Sequence, residues 1–259
     1  MILCVVVCAF VSTCATREVS AAAAREPGEP IRLTWSEGDV AGFTSIFGPD
    51  GGGAIGFVEY HQHRKGDVLE TRRVARFADG SSDEDQATAR VGERLSALRG
   101  RSIIRDPHGE VLVDLTIDVE GRRLSGFYRS SSSGAPTNFD QSADLSAGTY
   151  WGPLVFLVVK NFAANATDGT VRFLTVAPTP APRLLTMELR NTGDDVMRRP
   201  GGELKLQRYA LRPTINWLVD PIVHALAPST EFLLEPGTPP ALAGYDGPRN
   251  YGGQGIRLE

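Results

Sequence analysis

The residues best placed to do chemistry are Glu59, His61 and His63, which occupy alternate positions in a strand-like run. Alternate side chains on a strand share a face, and imidazole with carboxylate is a donor set that suits zinc. Three neighbours on one strand rarely converge on an ion without ligands from elsewhere. The plainer expectation is a polar strand face, with His61 and His63 as the metal candidates. A second group, Asp83-Glu84-Asp85, could divide into a general acid and a general base. It lies just past a turn at Asp79-Gly80, where charges are ordinarily solvated. The triplet Asp79-Gly80-Ser81 reads as that turn rather than as an aspartic-protease motif. His108, beside Pro107, and His224, in an apolar run, read as structural. The chain has no G-x-S-x-G elbow, no P-loop and no H-E-x-x-H. No catalytic residue and no cofactor is assigned.

Cysteine and charge narrow the chemistry further. Cys4, Cys8 and Cys14 are the only cysteines. From Ala15 onward a disulfide framework, a thiol nucleophile and a cysteine-based zinc site are excluded. A net charge of −4 gives no electrostatic footprint for nucleic acid. Of the 27 basic residues, only Lys65, Lys160 and Lys205 are lysines. With so much Ala, Gly and Pro, that skew fits a GC-rich bacterial genome. Arg72-Arg73, Arg122-Arg123 and Arg198-Arg199 are accordingly expected on solvated surface.

Residues 1–24 have the character of an export signal. An apolar run over 1–15 is too short to span a bilayer and ends at Arg17-Glu18. Two processing sites compete: a lipobox-like Val11-Ser12-Thr13-Cys14, which would acylate Cys14, and an A-x-A site ending at Ala24. Both lead out of the cytoplasm, to the periplasm, the outer membrane or the medium, and membrane contact is expected only through a lipid anchor at Cys14. Residues 25–30 read as a tether, and 31–259 as a single β domain with a helical insert at 142–162.

Within that domain, apolar alternation and turn residues predict strands over 42–47, 54–63, 68–77, 81–90, 94–106, 110–119 and 124–129. Pro49-Asp50-Gly51, Asp79-Gly80 and Pro107-His108-Gly109 supply the turns. Residues 130–137 read as a loop and 140–149 as a short helix. The apolar run 154–162 is also expected to be helical, being long for a core strand and ending near Lys160-Asn161. Further strands are predicted over 170–177, 183–191, 203–211, 231–234, 241–245 and 255–258, with a helical turn over 215–226. A sheet of so many strands must close or curl. The expected fold is therefore mainly β (α+β): one large, strongly curved antiparallel sheet, a half-barrel, with one or two short helices against its concave face. Phe57, Val113, Trp151, Phe156, Phe162 and Trp217 are expected between sheet and helices, either filling the core or lining a cleft for an acyl chain.

Several short features carry a family resemblance: Phe77-x-Asp79-Gly80-Ser81-x-Asp83-Glu84, Ile117-Asp118 before a turn, the region 145–161, Pro182-Arg183-Leu184, and a tail containing Gly247-Pro248, Tyr251-Gly252-Gly253 and Ile256-Arg257-Leu258-Glu259. Together they resemble an uncharacterised family of exported bacterial β-sheet proteins, distantly similar to the lipoprotein-localisation factors (LolA/LolB-like). The resemblance implies a curled antiparallel sheet around short helices. It also implies a lipid or lipid-modified protein as partner, in a non-catalytic role. An envelope scaffold or interaction protein is the first alternative, and an uncharacterised hydrolase or metal-binding enzyme the second.

Overall fold

In the computed structural model, the described residues are 26–36, 38–50, 52–165, 170–177, 179, 181–199, 202–214, 229–249 and 255–258. The export segment with Cys14, the helical turn over 215–226 with Trp217 and His224, and Tyr251-Gly252-Gly253 lie outside them. Eight strands precede one helix: β1 (Val40–Phe47), β2 (Ala54–Lys65), β3 (Val68–Phe77), β4 (Ser82–Val91), β5 (Leu95–Arg105), β6 (Val111–Asp118), β7 (Arg123–Tyr128) and β8 (Thr137–Ser142). Helix α1 (Pro153–Asn165) follows. The second run comprises β9 (Thr170–Ala177), β10 (Arg183–Arg199), β11 (Gly202–Pro213), β12 (Thr230–Glu235), β13 (Ala241–Pro248) and β14 (Gly255–Leu258).

All fourteen strands form one antiparallel sheet in the order β8-β7-β6-β5-β4-β3-β2-β1-β14-β13-β12-β11-β10-β9. Two meanders are thus fused where β1 meets β14, through the pairs Ile46–Leu258 and Phe47–Arg257. The sheet does not close on itself, and β8 and β9 are its edges. The chain bridges the gap between them with residues 143–150. Along it, Ala97 N–H of β5 bonds to Ala147 O at 2.8 Å, and Tyr150 N–H bonds to Leu174 O of the edge strand β9 at 2.7 Å. Residues 140–149, expected as a short helix, are instead the end of β8 and this bridge. Asp140 extends the ladder opposite Ser125, because its outward side chain pairs with Arg123 across the strands.

Helix α1 occupies the inner face. Gly152 supplies a backbone at φ 48° just before it, and Pro153 suits the first helical position, where an N–H would lack a partner. Leu154, Leu157, Val158, Val159 and Phe162 are buried, and Val155 and Phe156 pack against the same core. A helix apolar all round belongs inside a protein or a membrane. Here it is inside, and no helix among the described residues is long and apolar enough to cross a membrane. Its rings reach both meanders: Phe156 meets Tyr60 of β2 at 6.3 Å and Phe232 of β12 at 6.1 Å, and Phe162 meets Tyr209 of β11 at 5.9 Å.

The helix does not end at Lys160-Asn161, because Asn161 has a different task. It is 1% exposed. Its Oδ1 accepts from the backbone N–H groups of Thr34 and Trp35 at 2.7 and 2.9 Å, and its Nδ2 donates to Trp35 O at 3.0 Å and Leu157 O at 2.9 Å. One side chain thereby straps the segment before β1 onto the helix. Tyr150 makes a second strap, its hydroxyl accepting from Ile31 N–H at 2.9 Å and donating to Leu95 O at 2.7 Å. Asn161→Ala is expected to cost about 2 kcal/mol, since buried backbone groups lose their partner. Urea unfolding would measure it, with faster proteolysis between residues 26 and 39. A cost below about 0.5 kcal/mol, the range of an ordinary surface substitution, would show that the strap holds nothing.

Candidate functional site

Strand parity sorts the candidate residues onto two faces. Inward-pointing positions of β3, β4 and β5 pair across the sheet as Thr71–Ala87–Gly100 and Arg73–Asp85–Ser102. Arg73, expected on solvated surface, therefore points into the sheet's interior. It holds Asp85 through Nη2 at 2.6 Å, Ser102 Oγ donates to the same carboxylate, and Arg73 Nε is buried without a protein partner. Burial opposes the guanidinium's charge, but Asp85, Tyr245 and Asp83 together outweigh it and hold the Arg73 pKa above its ordinary value. Burial also pushes the nearby Tyr245 phenol up.

Asp83 shares this inward face and is 4% exposed. It accepts both Nε and Nη2 of Arg249, at 3.0 and 2.9 Å, while that guanidinium lies 3.6 Å from the centre of the Phe77 ring. Glu84, one position along, points outward and takes Arg72 Nε at 2.7 Å. Its burial would raise its pKa, yet the bonds from Arg72 and Gln86, with the charges of Arg72 and Arg105, leave the carboxyl below its ordinary value. The expected solvated trio past a hairpin is thus three carboxylates each claimed by an arginine, two of them inside. Asp79 does form the turn, accepting Ser81 N–H at 2.9 Å. Bonds from the Ser81 hydroxyl and N–H hold its pKa low.

Glu59, His61 and His63 share the outer face, as their spacing requires, but they do not converge. Glu59 pairs with Arg76 at 2.8 Å, and His63 Nδ1 lies 2.9 Å from Asp39 Oδ1. Among the described residues, no group of three or more His, Cys, Asp or Glu could hold a metal ion.

Of the six apolar candidates, Val113, Trp151, Phe156 and Phe162 meet in the core around α1. Phe57 lies on the opposite, outer face, stacked on the exposed Phe43 at 5.2 Å with Arg76 over its ring. The sixth, Trp217, lies outside the described residues. These side chains therefore do not line one common space.

What the outer face does carry is a groove of 580 Å³ crossing β2 to β6. His61, Arg72, Gln86, Arg101 and Thr116 form one row of its outward side chains, and His63, Glu70, Thr88 and Arg99 the next. The inward-pointing Gln62, Thr71, Ala87 and Gly100 line it too, and can reach it only through their backbone. On the inner side, directly behind the groove, the sheet packs on Trp151. The Trp151 indole sits where a side chain at Gly100 would begin, 2.1 Å from an ideal Cβ, and its Nε1–H donates to Gln86 O at 3.2 Å. Next to this point the β4–β5 register shifts between Thr88 and Ala89, a bulge of the kind that bends a strand and re-aims side chains. Alternation in 82–91 foretells the outward row. The close approach of Trp151 leaves one mark in the strands, the isolated Gly100 within β5.

The fold and this groove define the class: an open antiparallel β-sheet protein with a helix filling its concave side and a polar channel on its convex side. No family model matches the chain, and no curated protein matches it. Among solved structures it is similar to the beta-barrel-like protein of domain of unknown function DUF1849 from Brucella abortus. That match has a TM-score of 0.43 and 10% sequence identity, covering 85% of this chain and 93% of that one.

Proposed function

We propose that this is an exported, non-catalytic binding protein of the cell envelope whose ligand or partner is met by the convex groove over β2–β6. The observation that carries the reading is the occupancy of the concave side. Trp151, Leu154, Leu157, Val158 and Phe162 are buried in the protein's own core, which fills the concave side and leaves the groove on the convex outer face as the surface offered to another molecule. The strand arginines support a rigid frame, since Arg72–Glu84 at 2.7 Å and Arg101–Asp114 at 2.6 Å hold the groove's side chains in place. Export rests on the signal-like character of 1–24.

The test has two arms. Full-length chain expressed in a bacterial host is expected in the envelope or periplasmic fraction, and a cytosolic product overturns export. Protein purified from residue 25 onward is expected to co-sediment with isolated envelopes. The double variant Gln86→Ala/Arg99→Ala should bind about tenfold more weakly, equivalent to about 1.4 kcal/mol. Equal retention of both proteins overturns the groove.

A second reading, an acyl chain held inside, has one observation in its favour. Tyr60, Phe156 and Tyr245 are only partly buried, and all three belong to one aromatic chain through Phe232. Native mass spectrometry separates the two: one lipid per purified chain would move the ligand to the interior.

A further inference from the structure

We infer that the groove takes a neutral, hydroxyl-rich chain, an oligosaccharide, rather than an anion or an acyl tail. The inference rests on the groove reading above and adds the chemical class.

Charge is the first argument. Three guanidinium groups face the groove, those of Arg72, Arg99 and Arg101. Arg72 is engaged by Glu84, and Arg101 gives Nε and Nη2 to Asp114 at 2.8 and 2.6 Å. Arg99 stands directly opposite Asp118 in the β5–β6 register, and Glu70 adds a negative charge to the lining itself. At Arg72 and Arg101 an incoming phosphate or carboxylate would meet cations already paired with carboxylates, and would have to displace them.

The second argument is composition. No lining side chain is apolar and larger than that of Ala87, so an acyl tail would find no apolar side chain to seat it, only the aliphatic stems of polar ones. What remains is unused hydrogen-bonding capacity of both kinds. A guanidinium has five N–H donors, of which Arg101 spends two groups on Asp114. Gln86 donates Nε2 to Glu84 at 2.8 Å, which fixes the amide, and its carbonyl oxygen is an acceptor. Thr88 and Thr116 add hydroxyls that donate or accept. Mixed donors and acceptors, pre-positioned by ion pairs and therefore ordered at little further cost, suit a ligand whose every hydroxyl both gives and receives.

Isothermal titration of protein from residue 25 onward with maltotetraose, chitotetraose and sodium sulfate tests the inference. Saturable binding of at least one sugar is expected, with affinity changing less than about twofold between about 50 and about 500 mM NaCl, where charge-driven binding would be screened. Gln86→Ala and Arg99→Ala should each weaken it about fivefold, and Arg123→Ala, outside the groove, should not. Circular dichroism and thermal unfolding establish that the variants fold. Sulfate binding that weakens with salt, with neither sugar bound, replaces the sugar by an anion and overturns the inference. Absence of all binding also overturns it. Envelope co-sedimentation that survives such a result leaves the groove reading standing and removes only the ligand class, whereas loss of both removes the groove.

Discussion

Trp151→Ala is expected to destabilise the protein by about 3–5 kcal/mol, the range for deleting a buried aromatic and leaving a cavity. The residue is 3% exposed and stands where β4, β5 and the start of α1 meet. The backbone around Gly100 closes on the indole so tightly that a methyl group there would overlap Nε1, Cε2 and Cζ2. Removing the ring therefore takes away both the contact and the reason for the glycine. It also frees the backbone at Gln86 and Gly100, both of which line the groove, so sugar binding in the groove should fall with stability. Trp151→Phe separates the two effects. It retains most of the packing but loses the bond to Gln86 O, and should cost about 1 kcal/mol. Urea unfolding of both variants is the measurement. A cost for Trp151→Ala below about 1 kcal/mol would mean the indole is not the pillar its contacts describe.

Asp85→Ala is the second large effect, expected at about 3–5 kcal/mol because it breaks a buried pair and strands one charge. The side chains of Arg73 and Asp85 are 15% and 14% exposed, so solvent can do little to screen the loss. Arg73 Nε already has no protein partner, and without Asp85 the guanidinium would lose its nearest countercharge as well. Asp85 also lies against Gly152, whose ideal Cβ would stand 2.8 Å from the Asp85 Cβ. The carboxylate is thus beside the amino end of α1, where a negative charge is favourable. The double variant Arg73→Leu/Asp85→Leu should recover most of the loss, because apolar replacement of both partners removes the stranded charge. Thermal and urea unfolding of the single and double variants decide it. If the double variant is as unstable as the single one, packing rather than charge explains the cost.

Much of the architecture was legible because strands announce themselves by alternation and turns by Gly, Pro and Asp. The predicted bounds of 68–77, 170–177 and 255–258 coincide with β3, β9 and β14. β10 runs well past its predicted end to Arg199. Polar residues there carry no apolar rhythm, and the ladder to β11 extends the strand through outward pairs. β8, Thr-Asn-Phe-Asp-Gln-Ser, failed for the same reason: an edge strand with one partner needs little apolar content to stay in register. Arg73 could have been placed correctly, since Leu69, Thr71 and Ala75 share its parity and are all buried.

The sequence by itself determined the antiparallel meanders, the helix between them, and which residues of each strand share a face, because those follow from local backbone preferences and a period of two. Only the tertiary structure decided that Asn161 straps the leading segment, and that the Trp151 indole packs on Gly100 directly behind a groove on the far side. Those outcomes depend on residues brought together across fifty or more positions of chain, and no local pattern encodes a contact at that range.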